Sequence, residues 1–469
     1  MSDFLPDIEH FVFLMLENRS FDNLMGWLYE SDQPAHIIDG PLTRGTGFMG
    51  LEADTFSNRF DGDDTEHFVK RCAPTLDTPK PDPHEPYLHV NKQLFDVAVT
   101  PCGERAGASG TPPITTTEPS MSGFLADYAT KRQGLGSAIA DDCGVLGRVA
   151  KLLTRQISQE AALQILDTYG PEQVPVLSGL ARAYAVSDHW FSSVPSQTNC
   201  NRAFSTCGTS LGLTDNAGPL FGFIPGRFDT RSIWDVLCDA GKTSPSDWMV
   251  YYQAKIFWKW VYTQRAFSIP DPDDHLAPID DFFAAIDAGT LPRFSYLEPI
   301  WLGSHVFDNG NSYHPPAQLE PGEEFLRKLF GKLTAKPDVW SKTLLMITFD
   351  EHGGTYDHVP PPCATPPWGD SAPPDPEHGF GFDRFGVRVP TVLASPWIEE
   401  RTVFRSTTDV PYDHTSMIAT VLTWMGVPRD EWNLGERVAC APTFEGVITR
   451  DRPRTEVPVF GAARECGRA

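Results

Sequence analysis

Residues 343–362, TLLMITFDEHGGTYDHVPPP, carry an apolar run that stops abruptly at Asp350, Glu351 and His352. Residues 343–348 have the length and composition of a strand buried on both faces, so the two acids stand where that strand leaves its sheet. Gly353 and Gly354 then allow a sharp turn. Open α/β sheets gather ligands at the carboxyl ends of their strands, and two adjacent carboxylates there suit a hard divalent cation or general acid/base chemistry. The same residues also suit a solvated strand-to-loop junction. A second cluster is therefore needed to choose between them.

The start of the chain supplies one. Residues 11–16 form another apolar run, and Glu17, Asn18 and Arg19 follow it directly. Ser20 is positioned to cap a helix that begins FDNLMGWL, with Phe21, Leu24, Met25 and Leu28 on one face. Further buried strands are expected at residues 294–297, ending at Glu298, and in VRVPTVLASPW, ending at Ser395. Helical spacing is expected over residues 121–128, over 148–166 with Val149, Leu152, Leu153, Ile157, Ala161 and Ile165 inward, and over 176–184. It recurs with Phe325, Leu326, Leu329, Phe330 and Leu333 inward, and in PYDHTSMIATVLTWMG, where His414 caps or packs near the site. Residues 38–76, 101–119 and 360–385 are rich in loop formers. The expectation is one large α/β domain over residues 1–449 with long loop insertions, and a peripheral C-terminal extension over 450–469.

The 38 basic and 62 acidic residues leave a formal charge of −24, which argues against nucleic acid or an anionic membrane surface as an electrostatic partner. No apolar run reaches the roughly 18 residues of a transmembrane helix. The N-terminus places acids before its apolar run and has no basic n-region, so the expected location is the cytoplasm, with a secreted or periplasmic protein as the alternative if a leader has been removed. Nine scattered cysteines without a CxxC support neither a disulfide framework nor a zinc-thiolate site, although one or two bridges fit an exported protein.

Other segments carry candidate chemistry. Thr198, Asn199, Asn201 and Arg202 lie between a turn and a helix, where a hydroxyl and an incoming phosphate both gain from the positive end of the helix dipole. Thr198 equally suits a helix cap. His84, among prolines and acids, could protonate a leaving group or simply lie on the surface. His305 and His314 sit on a polar loop. The aromatic run IFWKWVY fits a packed wall, or a rim that grips a choline-like head group.

Taken together, FVFLMLENRSFD, DPHEPYLHV, VSDHWFSSVPSQTNCNR, HPPAQLEPGE, TLLMITFDEHGGTYDHVPPP, GVRVPTVLASPW and YDHTSM resemble the phosphoesterase family that includes respiratory-burst-inhibiting acid phosphatases and phosphocholine-preferring phospholipases C. ENRSFD and DEHGGTYDHVPPP are the specific matches. The resemblance implies an alkaline-phosphatase-like three-layer α/β/α sandwich. It implies that Glu17, Asn18, Asp350 and Glu351 hold a divalent metal, with Thr198 completing the site as nucleophile. His84 and His314 match histidines that bind phosphoryl oxygens or protonate the leaving alkoxide, while Asn201, Arg202 and His305 are assigned to substrate. His275 is a second candidate for a histidine found in some acid phosphatases.

The implied reaction is metal-dependent hydrolysis of a phosphate ester, of a small molecule or a phospholipid, through a phosphothreonine. Oxygen ligands permit Mg²⁺, Ca²⁺ or Mn²⁺, and also Zn²⁺ or Fe. A sulfatase would need a C/S-x-P-x-R context, which Cys200-Asn201-Arg202 does not supply. A family member recruited to other phosphorus chemistry, or a non-catalytic binding protein, would keep the fold and alter the site. The family pattern has proline where Cys200 stands and commonly tyrosine at Phe349.

Overall fold

The computed structural model describes residues 4–97, 99, 118–134, 151–216, 228–254, 262–300, 310–369 and 378–464. Nine strands form its main sheet: β1 (His10–Leu16), β2 (His36–Ile38), β3 (Ala185–Ser187), β4 (Trp248–Tyr252), β5 (Leu276–Pro278), β6 (Phe294–Leu297), β7 (Thr343–Phe349), β8 (Thr391–Ala394) and β9 (Thr402–Phe404). Their order is β5-β4-β6-β1-β7-β8-β3-β9-β2, and every neighbouring pair is parallel except the two made by β8. The two acid-terminated runs of the sequence are thus adjacent central strands. Every residue of β7, and every residue of β1 after His10, is buried, as the unbroken apolar runs require.

The helices that cover the sheet and build the site are α1 (Phe21–Met25), α2 (Tyr87–Phe95), α3 (Phe124–Tyr128), α4 (Pro175–Ala183), α5 (Thr198–Cys207), α6 (Ile233–Asp239), α7 (Ile279–Ala288), α8 (Glu320–Thr334) and α9 (His414–Trp424). Phe11 and Trp248 both pair in register with Phe294, so their side chains share a face. Phe11 meets Trp424 of α9 at 6.3 Å between ring centroids, and Trp248 meets Trp234 of α6 at 6.2 Å. Tyr251, three residues beyond Trp248, points to the opposite face and meets Phe282 of α7 at 5.3 Å. Helices therefore lie on both faces, giving three α/β/α layers. α5 packs on α9, and α8 packs on α4 and α7.

The helix expected at residues 176–184 is present within a residue, the one expected over 411–426 spans His414–Trp424, and the inward face of α8 is buried as expected. The stretch 148–166 differs. Arg155 and Gln156 pair with Arg132 and Gln133 as a two-stranded ribbon, and among the described residues this pairing separates helical residues 151–153 from the helical turns over 159–166. That pairing interrupts the apolar period, so Ile157 and Ile165 reach the core while Leu152 and Leu153 are 85% and 66% exposed. Residues 148–150, most of IFWKWVY, the bulk of the 101–119 loop and residues 370–377 lie outside the described residues. The tail packs against the body: Arg327 of α8 donates to the Phe460 carbonyl, and Phe460 lies against Phe330 at 5.5 Å.

A buried ion network joins the loops that follow β1 and β7. The fully buried Arg388 donates through Nε to Asp357 Oδ1 and through Nη2 to Asp22 Oδ1, each at 2.9 Å. Its Nη1 donates to the carbonyls of Met49 and Asp188. Ser20 adds a direct link by donating to the Tyr356 carbonyl at 2.5 Å. Replacing Arg388 by methionine leaves two buried carboxylates without that guanidinium, so Arg388→Met is expected to lower unfolding free energy by about 3–5 kcal/mol. Urea denaturation reads this directly, and an unchanged midpoint would contradict it.

Candidate active site

The site follows from strand register. Leu16 pairs with Phe349 and the Asp350 amide donates to the Leu16 carbonyl at 3.1 Å, so Glu17 and Asp350 leave the sheet side by side. Asn18 then takes a left-handed conformation with φ 60°, a region that asparagine tolerates better than most residues. This turn aims its amide at Asp350 Oδ1, 3.1 Å away, and its Nδ2 at Glu85 Oε1, 2.5 Å away. Glu351 turns inward because Gly353, at φ 60°, donates its amide to Glu351 Oε2 at 2.7 Å. Glu351 Oε1 is buried and has no hydrogen-bond partner among the described residues.

Thr198 is the first residue of the ten-residue α5, with Gln197 in the cap position. Its hydroxyl is not used as a cap; it lies partly exposed and donates toward Asn18 Oδ1 at 3.4 Å. Arg202, one helical turn further on, faces the same way. Its Nε donates to Asp350 Oδ2 at 3.0 Å and its Nη2 to the carbonyls of Met15 and Leu16. Asn201 accepts from the Val194 amide and donates to the Ser196 carbonyl, tying down the loop before α5. Asn201 and Arg202, expected to bind substrate, are both buried, and the hydrogen bonds above fasten α5 to the strand ends and to its own leading loop.

Of the other histidines, His314 lies 3.8 Å from Asp82 and 3.9 Å from Glu85. Burial alone would lower its pKa, but the carboxyls of Asp82, Glu17 and Glu85 raise it to about 9. His84 stacks on His89 at 3.9 Å and lies 3.5 Å from Asp127, which also holds His89 at 2.6 Å. Burial would raise the Asp127 carboxyl, yet the two imidazoles hold it far below its usual range. His414 contacts the Asp350 carbonyl at 2.6 Å, in keeping with packing near the site. His275 does not approach it: the ring stacks on Trp248 at 3.6 Å beside the edge strand β5. His305 lies outside the described residues.

Several residues were not singled out in the sequence. Asp82 and Glu85 flank His84 and complete an acid–histidine cluster with His314, whose ligand atoms lie within 4.8 Å of one another. Gln93, four residues after His89 on α2, donates to Asp127 at 2.9 Å and contacts His352 Nε2 through its Oε1 at 2.7 Å. Burial lowers His352 to about 3, so its ring is neutral. The available signal was the i, i+4 spacing of His89 and Gln93, beside the acids of DPHEP.

The carboxyls are expensive as they stand. Burial, with Asp350 nearby, raises Glu17 to about 7; burial, with Asp82 nearby, raises Glu85 to about 8. Glu351 is pushed well above its usual range by burial and by Glu85 and Asp350. A divalent cation would relieve this repulsion and give the orphaned Glu351 oxygen a partner, so these residues fit one. Separately from Glu17, Asp350 and Glu351, the neighbouring groups His84–His89–Asp127 and Asp82–Glu85–His314 bring ligand atoms within 4.8 Å of one another, close enough to hold a metal ion.

Buried carboxylates at paired strand ends, facing a hydroxyl at a helix start, are an arrangement that suits metal-assisted chemistry at a phosphoryl or related centre. Residues 8–428 match the model of the phosphoesterase family, and the chain belongs to that family. It is 30% identical over 458 residues to non-specific phospholipase C4 of Arabidopsis thaliana, covering 96% of this chain and 73% of that one. It is 28% identical over 331 residues to phospholipase C A of Mycobacterium tuberculosis, covering 63% and 59% respectively. Among solved structures, a Vibrio parahaemolyticus protein in the alkaline phosphatase superfamily aligns at TM-score 0.33 and 12% identity, over 55% of this chain and 62% of that one, a likeness too slight to carry an argument. The chain is a hydrolase of phosphoric ester bonds.

Gly353 is the tightest point of the site. A Cβ there would run into the Asn18 backbone carbonyl, at a φ that L-residues rarely adopt. Gly353→Ala is expected to displace Asn18 and Glu351, reducing phosphoesterase turnover about tenfold or more and lowering stability by about 1–3 kcal/mol. Steady-state kinetics with a thermal melt on the same sample test both parts.

Proposed function

We propose that this protein cleaves the phosphodiester of phospholipids in the manner of a phospholipase C, through a covalent intermediate on Thr198. The observation that carries the reading is the placement of the Thr198 hydroxyl, partly exposed at the start of α5 and 3.4 Å from Asn18 Oδ1, over the strand ends that bear Glu17, Asp350 and Glu351. The names of the relatives support the substrate class.

Glu17, Asn18, Asp350, Glu351 and the Thr198 oxygen would hold a divalent cation, which when bound lowers the pKa of an adjacent hydroxyl and neutralises charge on phosphoryl oxygens. Thr198 attacks phosphorus, forming the Oγ1–P bond and breaking the bond from phosphorus to the glycerol oxygen. Its proton passes to the carboxylate cluster and returns when the threonine is released. His314 gives its proton to the departing glycerol oxygen and regains one from the water that hydrolyses the phosphothreonine. The phosphorylated head group then leaves. Asp127 and Gln93 orient His84, which lies next to Glu85 and would bind a phosphoryl oxygen. Arg202 acts through Asp350 and α5 as a positioning residue.

Cys72 is disulfide-bonded. Such bonds persist in oxidising compartments, which favours the exported alternative over the cytoplasm. Among the described residues no helix is long and apolar enough to cross a membrane.

Rapid acid quench during turnover of phosphatidylcholine, followed by peptide mapping, is expected to find the phosphorylated head group attached to the Thr198 peptide. Thr198→Ala is expected to lose that adduct and roughly a thousandfold or more in kcat while melting at the wild-type temperature. Full activity in Thr198→Ala would overturn the assignment.

A further inference from the structure

The stretch HPPAQLEPGE begins at His314 and ends at Glu323, and the fold ties its two ends together through Tyr313. Glu323 lies in the first turn of α8 and is buried, with 3% of its surface exposed. Its carboxyl accepts from the amides of Val176 at 2.6 Å and Leu177 at 3.2 Å, at the start of α4. The Tyr313 hydroxyl meets the same carboxyl at 2.7 Å. Amides can only donate, so both carboxyl oxygens are acceptors and the phenol donates to one of them. Glu323 thus joins three segments, and the reaction proposed above uses none of its atoms.

Tyr313 is buried as well and stands at φ 73°, a left-handed conformation that is unfavourable for a bulky aromatic residue. Such a conformation persists only where the surroundings overdetermine it. Here the Tyr313 carbonyl accepts from Arg19 Nε at 2.8 Å, and the preceding Ser312 carbonyl accepts from the Glu17 amide at 2.8 Å. The ring meets Phe349, the last residue of β7, at 5.5 Å between centroids. It also needs the open space at Gly322, where a Cβ would come within 2.2 Å of Tyr313 Cε2. The hydrogen bond to Glu323 adds the polar hold on the side chain. His314 is the next residue, so the same contacts set how its ring leaves the backbone, with Asp82 at 3.8 Å and Glu85 at 3.9 Å.

We propose that Tyr313 and Glu323 are positioning residues for His314: their buried hydrogen bond keeps Tyr313 left-handed and so keeps the imidazole where the leaving oxygen receives its proton. The inference rests on the reading of His314 as the acid. Both residues act through the backbone that carries His314. A general acid works only within hydrogen-bond reach of the departing oxygen. A small displacement of the ring is therefore costly for a leaving group that needs a proton, and nearly free for one that does not.

The test compares kcat/KM, which covers the steps through departure of the leaving group, for a short-chain phosphatidylcholine and for para-nitrophenyl phosphocholine. The glycerol oxygen takes up a proton as it leaves, whereas nitrophenolate departs without one. Tyr313→Phe is expected to lose about fivefold or more on the phosphatidylcholine while staying within about twofold of wild type on the nitrophenyl ester. Glu323→Ala is expected to lose about tenfold or more on the phosphatidylcholine with the same selectivity, and Glu323→Gln, which keeps one acceptor oxygen, to recover most of that loss. His314→Ala, the reference for a missing acid, is expected to discriminate between the two esters more strongly than either variant. If His314→Ala discriminates while Tyr313→Phe loses equally on both esters, or on neither, the positioning role is overturned and the acid stands. Equal losses on both esters in His314→Ala overturn the acid role and this inference with it.

Discussion

The parallel pairing of β1 with β7 is the constraint on which the rest depends. Seven consecutive register partners, His10 with Thr343 through Leu16 with Phe349, make the two apolar runs end at the same height. Parallel strands of this kind are stable only when buried on both faces, so the chain must place helices above and below them. That burial makes the two strand ends a dry place. Glu17, Asp350 and Glu351 are consequently delivered together into surroundings where carboxylates repel strongly and ionise at a cost.

Two positive elements answer that cost. Arg202 reaches from α5 to Asp350 and to the last carbonyls of β1, and in doing so sets the first turn of α5 over the strand ends. Thr198 gains its position from this anchoring. The second element is the proposed cation, which the unpartnered Glu351 oxygen calls for. Around this centre lies a layer of neutral and paired groups: His352 kept neutral by burial, Gln93 beside it, and Asp127 balanced between His84 and His89. The Arg388 network does the equivalent work on the far side of the turn, clamping the loops after β1 and β7 to each other.

Much of this was legible in the sequence because it rests on local patterns. Unbroken apolar runs ending in acids identify buried strands and their exits, and the helical period at residues 325–333 marks the face of α8 that the structure buries. What was not legible depends on tertiary partners. Asn201 and Arg202, read as substrate groups, have as their partners Val194, Ser196, Asp350 and the end of β1, none of which spacing alone brings to them. Asp127 was invisible for the same reason, since it matters only through His84 and His89, and Gln93 was signalled only by its spacing from His89. The period over residues 148–166 misled at its middle, where residues 155–156 pair as a strand with 132–133 and separate the helical residues 151–153 from those at 159–166.

The central claim is that the ends of β1 and β7 form a cradle for one divalent cation needed in phosphate-ester hydrolysis. Elemental analysis by plasma mass spectrometry, on the dialysed active protein and on a Glu17→Gln/Glu351→Gln variant, addresses it most directly. The account predicts a stoichiometric divalent metal in the active protein, loss of that metal and of activity in the variant, and loss of activity on chelation with recovery on adding metal back. A dialysed protein that hydrolyses phosphate esters at full rate with no stoichiometric metal would contradict it.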